Sequence, residues 1–259
     1  MARHRRFFLD RTPDEGPPEL APADREHALK VLRISAGERL LGLDGCGHAW
    51  ELEVLKAERR ALELRATGQT WSEPPPGAPG APLPWIEVWA PLPKGGRAED
   101  LLDALTQIGV ARFVPLLAAR SEVQARSMSS GRRERLERVT RTALKQSGRL
   151  WMPEVAEEKE FMESLPGPAT RFWLDREAPE SLSAALTAAG EPAWTREQPL
   201  ALWIGPEGGW TEEEIAALTA AGATSARLGP HVLRLETAAL AALAVVVGRL
   251  SRPPARGTD

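Results

Sequence analysis

Hydrophobic and polar positions change their period at a proline-rich break, Ser72–Pro84, "SEPPPGAPGAPLP". Before it, apolar residues alternate with charged ones. Leu52 and Val54, then Leu62 and Leu64, are each separated by a charged residue, as in half-buried strands. This predicts strands over Arg39–Leu43, Ala49–Leu55 and Ala61–Ala66, with "DGCGH" as a hairpin-like break between the first two. A short helix is expected ahead of them in "PADREHALKVLRISAG". After the break, apolar runs alternate with helical periods. Strands are expected at Trp85–Leu92, "RFVPLLA", Thr170–Asp175, Pro199–Gly205 and Ala223–Gly229. Helices are expected at Arg97–Gly109, over a basic stretch ending near Ser147–Gly148, at Glu180–Ala189, at Thr211–Ala221, and in an alanine-rich stretch beyond Arg234. Such alternation predicts a parallel sheet covered on both faces, with ligands beyond the carboxyl ends of its strands. The expected domains are residues 1–72, a small β-rich barrel; 73–84, a semi-rigid linker; and 85–259, the α/β part.

Composition narrows the function classes. The chain has 259 residues and a formal net charge of −3, so any surface for nucleic acid must be local. One cysteine, Cys46, excludes an intrachain disulfide. Four scattered histidines argue against a zinc site, and no metal is expected. The N-terminal "MARHRRFFLD" lacks the apolar core of a secretory signal, and the longest apolar run, Ala238–Val247, is far short of the ~20 residues of a membrane span. A soluble, cytoplasmic protein is expected.

Charge is concentrated. Between Arg120 and Arg149 stand nine basic residues, among them Arg126, Arg138, Arg141 and Lys145, against three acidic ones (Glu122, Glu134, Glu137), a net of +6. A charge run is commonly a solvated face, but its placement in an otherwise acidic chain points equally to phosphate contacts. "RHRRFF" near the start mixes arginines with aromatics, which grips phosphate and stacks on bases, or is a frayed end with an apolar anchor.

Two glycine-rich loops carry the candidate chemistry. In "LWIGPEGGWTEEE" an apolar strand runs into a turn, and Thr211 with Glu214 forms a capping box. Glu212 and Glu213 already complement the helix N-terminus, and no "GK[ST]" follows, so the loop is no phosphate cradle. It suits a neutral or cationic ligand that approaches backbone closely; alone, it is better read as an ordinary glycine-rich turn. "RLGPHVLRLETAAL" repeats the arrangement, with Arg234 and Glu236 as a charged pair at a helix start, either catalytic or structural.

"IGPEGGWTEEEI" followed by "LGPHVLRLETAAL" resembles the ribosomal RNA methyltransferases that modify N3 of a uridine in small-subunit ribosomal RNA, members of the SPOUT class. "RRFF", "HALKVLR", "LDG", "PKGGRAEDLLDALTQIGV" and "KQSGR" extend the resemblance along the chain. It implies an α/β fold with an N-terminal PUA-like β-barrel and a C-terminal SPOUT domain with a deep trefoil knot. It implies S-adenosyl-L-methionine as methyl donor, held by Ile204, Gly205, Pro206, Glu207, Gly208 and Gly209, by Leu228, Gly229, Val232, Leu233 and Leu235, and by Leu174 and Thr237. It implies a homodimer that acts on small-subunit ribosomal RNA or the assembled subunit, with Arg5, Arg6, Arg33, Arg132, Arg133, Arg135 and Arg149 set against the RNA. For the chemistry, Glu236 is the candidate general base and Arg234 its electrostatic partner, because N3 must lose a proton to become nucleophilic. Asp103, Ala104, Gln107 and Lys145 depart from the family pattern, all outside the cofactor loops. The alternatives are another knotted methyltransferase acting on transfer RNA or ribose 2′-oxygen, and a non-catalytic assembly factor. The all-apolar last helix, expected to be covered on a second face by the partner, predicts that Ala242 or Val246, whichever faces outward, lies in the dimer interface.

Overall fold

The computed structural model describes residues 4–58, 61–121, 128–167 and 169–251, and the chain divides into two compact units. Residues 1–75 with 144–152 form the first; residues 76–143 with 153–259 form the second.

In the first unit, β1 (Arg5–Arg11), β2 (Glu19–Leu20), β3 (Arg39–Leu43), β4 (His48–Ala57) and β5 (Leu62–Ser72) build a five-stranded sheet in the order β2-β1-β3-β4-β5. All neighbours are antiparallel except β1 and β3. Helix α1 (Pro22–Glu26) and a π-helical turn over His27–Val31 precede β3. Phe7, Leu40, Leu52 and Val54 fill the core with Ala28 and Ile34. The stretch read as a possible frayed end is therefore strand β1: Phe7 and Phe8 point into the unit while Arg5 stays exposed. Residues 144–152 seal the opposite side, where Leu144 and Leu150 pack on Phe8, Leu43 and Ala49.

In the second unit, β6 (Ile86–Ala90), α2 (Arg97–Ile108), β7 (Arg112–Leu117) and α3 (Ser130–Ser147) come first, the last turn of α3 belonging to the first unit. Two-residue strands β8 (Glu154–Val155) and β9 (Lys159–Glu160) and helix α4 (Phe161–Ser164) follow. Then come β10 (Thr170–Leu174), α5 (Leu182–Ala189), β11 (Leu200–Trp203), α6 (Glu212–Ala220), β12 (Thr224–Ala226) and α7 (Leu235–Leu250). The sheet is parallel, in the order β12-β10-β11-β6-β7-β8, with β9 also on β7. Alternate residues face opposite layers. Ile86, Val88, Phe113, Phe172 and Leu202 meet Leu101, Leu105, Leu186 and Leu243 on one side; Trp173, Ala201 and Trp203 meet Phe161 and Leu218 on the other. Chain order and sheet order part between β6 and β11, the switch point of the sheet.

Residues 76–84 pack into the second unit: the Gly77 N–H donates to the Leu83 carbonyl, and Ala81 is buried. Helix α7 is buried within the chain on the face carrying Ala239, Ala242, Leu243 and Val246. Neither Ala242 nor Val246 faces outward, a correction to the expectation from the sequence: a helix with no polar face does not reveal which side its own core takes. The outward positions are Thr237, Ala244, Gly248 and Arg249.

Candidate active site

A cleft opens at the carboxyl ends of β10, β11 and β12, where the glycine-rich loops converge. Its wall includes Leu174 and Asp175 after β10; Ile204, Gly205, Pro206, Glu207, Gly209 and Trp210 after β11; and Leu228, Gly229, Val232, Leu233 and Leu235 after β12. The turn after β11 is closed by the Gly209 N–H donating to the Pro206 carbonyl over 2.8 Å, with Gly209 at φ +70°, where glycine is favoured. The Trp210 indole N–H reaches the Leu174 carbonyl at 3.3 Å and so fastens this turn to the neighbouring strand end. The capping box is formed: Thr211 Oγ1 accepts from the Glu214 N–H, and Glu214 Oε2 accepts from the Thr211 N–H at 2.8 Å. Glu214 Oε1 additionally accepts from the Ala119 N–H, anchoring the end of β7 to α6. Val232, 77% exposed, and Leu233 present uncovered apolar surface on the cleft wall.

Two of the residues implied as cofactor contacts are placed elsewhere. Gly208 lies outside the lining, and a Cβ there would stand 3.0 Å from Arg120 Cβ. A side chain there would crowd Arg120, whose guanidinium donates to the Gly208 and Trp210 carbonyls. Thr237 is exposed on α7 and also lies outside the lining. Gly229 differs from both: it lines the cleft, its φ is outside the left-handed region, and an added Cβ would meet nothing within 4 Å.

Arg234 and Glu236 do not pair with each other. Arg234 is the exposed N-cap residue of α7 and makes no side-chain cap bond. The cation beside Glu236 is Arg97, whose Nη1 lies 3.1 Å from Glu236 Oε1 and 3.9 Å from Glu207 Oε1. Arg97 is the first residue of α2, beyond the loop that leaves β6. It stands in the quoted "PKGGRAED", but no local pattern singles out this arginine from its neighbours, since its partners are more than a hundred positions away.

The arginines set against RNA divide into held and open ones. Arg6 donates to the Lys145 carbonyl at 2.8 Å, satisfying an end of α3. Arg132 donates to the Pro93 carbonyl, Arg133 to the Val155 carbonyl, and Arg135 pairs with Glu99. Arg149 is half-buried; burial brings its guanidinium down to about 10, and the charge of Glu73 works in the opposite direction. Arg5 is exposed in a loose pair with Glu38 at 3.5 Å, Arg33 is exposed at φ +49°, and Arg138 is exposed on α3. Arg126 and Glu122, two charges of the basic segment, lie outside the described residues. Among the described residues no group of three His, Cys, Asp or Glu side chains could hold a metal ion, and no helix is long and apolar enough to cross a membrane.

Comparison with known proteins gives this geometry a family. A model described as an RNA methyltransferase domain matches residues 80–247. The Ribosomal RNA small subunit methyltransferase E of Mycobacterium bovis is 35% identical over 98% of this chain and 95% of its own length. The protein of that name from Synechocystis sp. is 32% identical over 88% of this chain and 71% of its own. The crystal structure of a Ribosomal RNA small subunit methyltransferase E from Neisseria gonorrhoeae, bound to S-adenosyl methionine, is 25% identical, with a TM-score of 0.75 over 96% of this chain and 98% of that one. With the cleft built from both glycine-rich loops and the match running nearly from end to end, the chain belongs to the RNA methyltransferase family and, within it, to the ribosomal RNA small subunit methyltransferases E.

Proposed function

We propose that the protein methylates N3 of a uridine in small-subunit ribosomal RNA, with S-adenosylmethionine as methyl donor. The observation that carries this is the convergence of both glycine-rich loops on one cleft in a chain of this family. The lining fits the cofactor. Leu174, Ile204, Leu228, Val232, Leu233 and Leu235 offer apolar surface to a nucleoside, while Asp175 and Glu207 supply negative charge to a ligand with amino and sulfonium cations. When bound there, the cofactor supplies an electrophilic methyl group. The chain must do the rest. Neutral uracil carries a proton on N3 and offers no lone pair there, so a base has to remove it. Glu236 is the carboxylate at the start of α7 able to take that proton, and the exposed Arg234 beside it can offer positive charge to the pyrimidine as it becomes anionic. Holding N3 in line with the methyl group supplies much of the remaining acceleration. Incubation of the purified protein with methyl-labelled S-adenosylmethionine and small ribosomal subunits lacking the modification tests this. Label is expected in the RNA; none in RNA or subunit would dispose of the reading.

In this proposal residues 1–72 are the family's PUA-like barrel, residues 73–84 join it to the catalytic domain 85–259, and the region from β11 to α7 is its deep trefoil knot. The five-stranded sheet and the placement of β11 between β10 and β6 agree with those readings. The RNA contacts are assigned to open arginines. Arg138→Glu is expected to weaken RNA binding and to lower its salt slope by about 1, with cofactor affinity kept. Arg132, Arg133 and Arg135 are poorer probes, because their reversal also removes contacts within the unit.

A homodimer is proposed through the outward face of α7. Exposed Ala244→Arg is expected to give a folded monomer with low activity, read by light scattering. Ala242→Arg buries a charge without a partner and is expected to cost more than about 3 kcal/mol of stability, read by thermal melting. A dimer that survives Ala244→Arg with full activity would exclude this face.

A further inference from the structure

Arg97 joins three segments that the sequence keeps apart. It opens α2 beyond β6, reaches Glu236 on α7 at 3.1 Å, and lies 3.9 Å from Glu207 in the turn after β11. Glu207 is part of the cleft wall, so the Glu236 carboxylate lies within the span of one guanidinium of that wall. The Glu236 side chain is 17% exposed, and its Oε1 is buried with no hydrogen bond of good geometry. The contact with Arg97 is therefore one of charge, and Oε1 keeps acceptor capacity that the protein does not use. The 3.1 Å approach of Arg97 sets a positive charge against this half-buried carboxylate. Arg234, the other nearby cation, is exposed and turned to no partner among the described residues.

We infer that Arg97 is a positioning residue for methyl transfer: it fixes the Glu236 carboxylate beside the cleft wall, in place to accept the N3 proton. This rests on the reading of Glu236 as the proton acceptor. Two carboxylates near one another repel, and Arg97 Nη1 lies 3.1 Å from one and 3.9 Å from the other. The transferred proton goes from N3 to a Glu236 oxygen and leaves to solvent after turnover; Arg97 keeps its own protons throughout.

The test is a set of variants assayed with S-adenosylmethionine and unmodified small ribosomal subunits, beside calorimetry with the cofactor and thermal melting. Arg97→Ala is expected to lower kcat up to about 100-fold, while KM for the subunit and the affinity for the cofactor stay near wild type. Arg97→Lys is expected to recover part of the loss, and added guanidinium to restore part of the activity of Arg97→Ala. Arg97→Ala combined with Glu236→Gln is expected to be no slower than Glu236→Gln alone. Should Arg97→Ala melt early, Arg97→Lys and guanidinium rescue decide the matter in a folded background. A wild-type kcat in Arg97→Ala, or losses that multiply in the double variant, would overturn the inference and leave the proposed reaction standing. An inert wild-type protein would overturn both.

Discussion

Gly229→Val is expected to weaken S-adenosylmethionine binding by at least about tenfold, or 1.4 kcal/mol, in a protein that melts normally. Gly229 lines the cleft, has no left-handed φ, and offers open space to a new Cβ. The new Cβ therefore meets no protein atom within 4 Å, and the branched side chain it carries is expected to take room in the cleft that a ligand would otherwise use. At about 25 cal/mol for each Å2 of apolar surface, an effect of this size needs only about 60 Å2 of burial to be denied to the ligand. The two glycines of the other loop serve less well. Gly208→Val strikes Arg120, and Gly209→Val forces a β-branched residue to φ +70°. Either acts on the turn itself, so weakened binding there would say little about direct approach of the ligand. Calorimetry and melting on Gly229→Val separate the two effects. Unchanged cofactor affinity in this variant would remove the second loop from the site.

Glu236→Gln is expected to lower kcat by about 10²–10⁴-fold, the range of general-base contributions. That corresponds to about 2.7–5.4 kcal/mol of barrier. The amide keeps the shape and one acceptor oxygen but cannot take the N3 proton. Cofactor affinity is expected to hold, since Glu236 is not in the cleft lining. Single-turnover assay with saturating cofactor reads the chemical step. A rate within about twofold of wild type would show that Glu236 serves only its ion pair with Arg97 and that the proton leaves by another route. Arg234→Ala is the companion variant, since its exposed side chain has no cap or pair to lose.

What the sequence makes legible depends on how local the signal is. The longer strands of the second unit are largely apolar runs, and the capping box of Thr211 and Glu214 declares the start of α6, so these elements could be read to within a few residues. The two glycine-rich loops stand out for the same reason, and nearly all their implied cofactor residues meet in one cleft. Strand β1 could not be read: "RRFFLDR" has two central aromatics among charges, and its pairing with β3 joins residues more than thirty positions apart. The two-residue strands β8 and β9 fall below any periodicity. Composition reports the charge of α3 but not that Arg132, Arg133 and Arg135 are each engaged by a backbone carbonyl or a carboxylate. Likewise Glu236 was legible as a charged residue at a helix start, whereas its partner Arg97 exists only through the meeting of α2 with α7. Local chemistry is written in the sequence; pairings across the fold are settled by packing.

In the proposed reaction this cleft methylates the N3 position of uridine. The most direct measurement is nucleoside mass spectrometry of small-subunit ribosomal RNA, isolated after reaction of unmodified subunits with the purified protein and S-adenosylmethionine. One new modified nucleoside, 3-methyluridine, is expected, formed at least about 100-fold more slowly when Glu236→Gln replaces the wild type. A methyl group found instead on a ribose 2′-oxygen, or on another base, would contradict it.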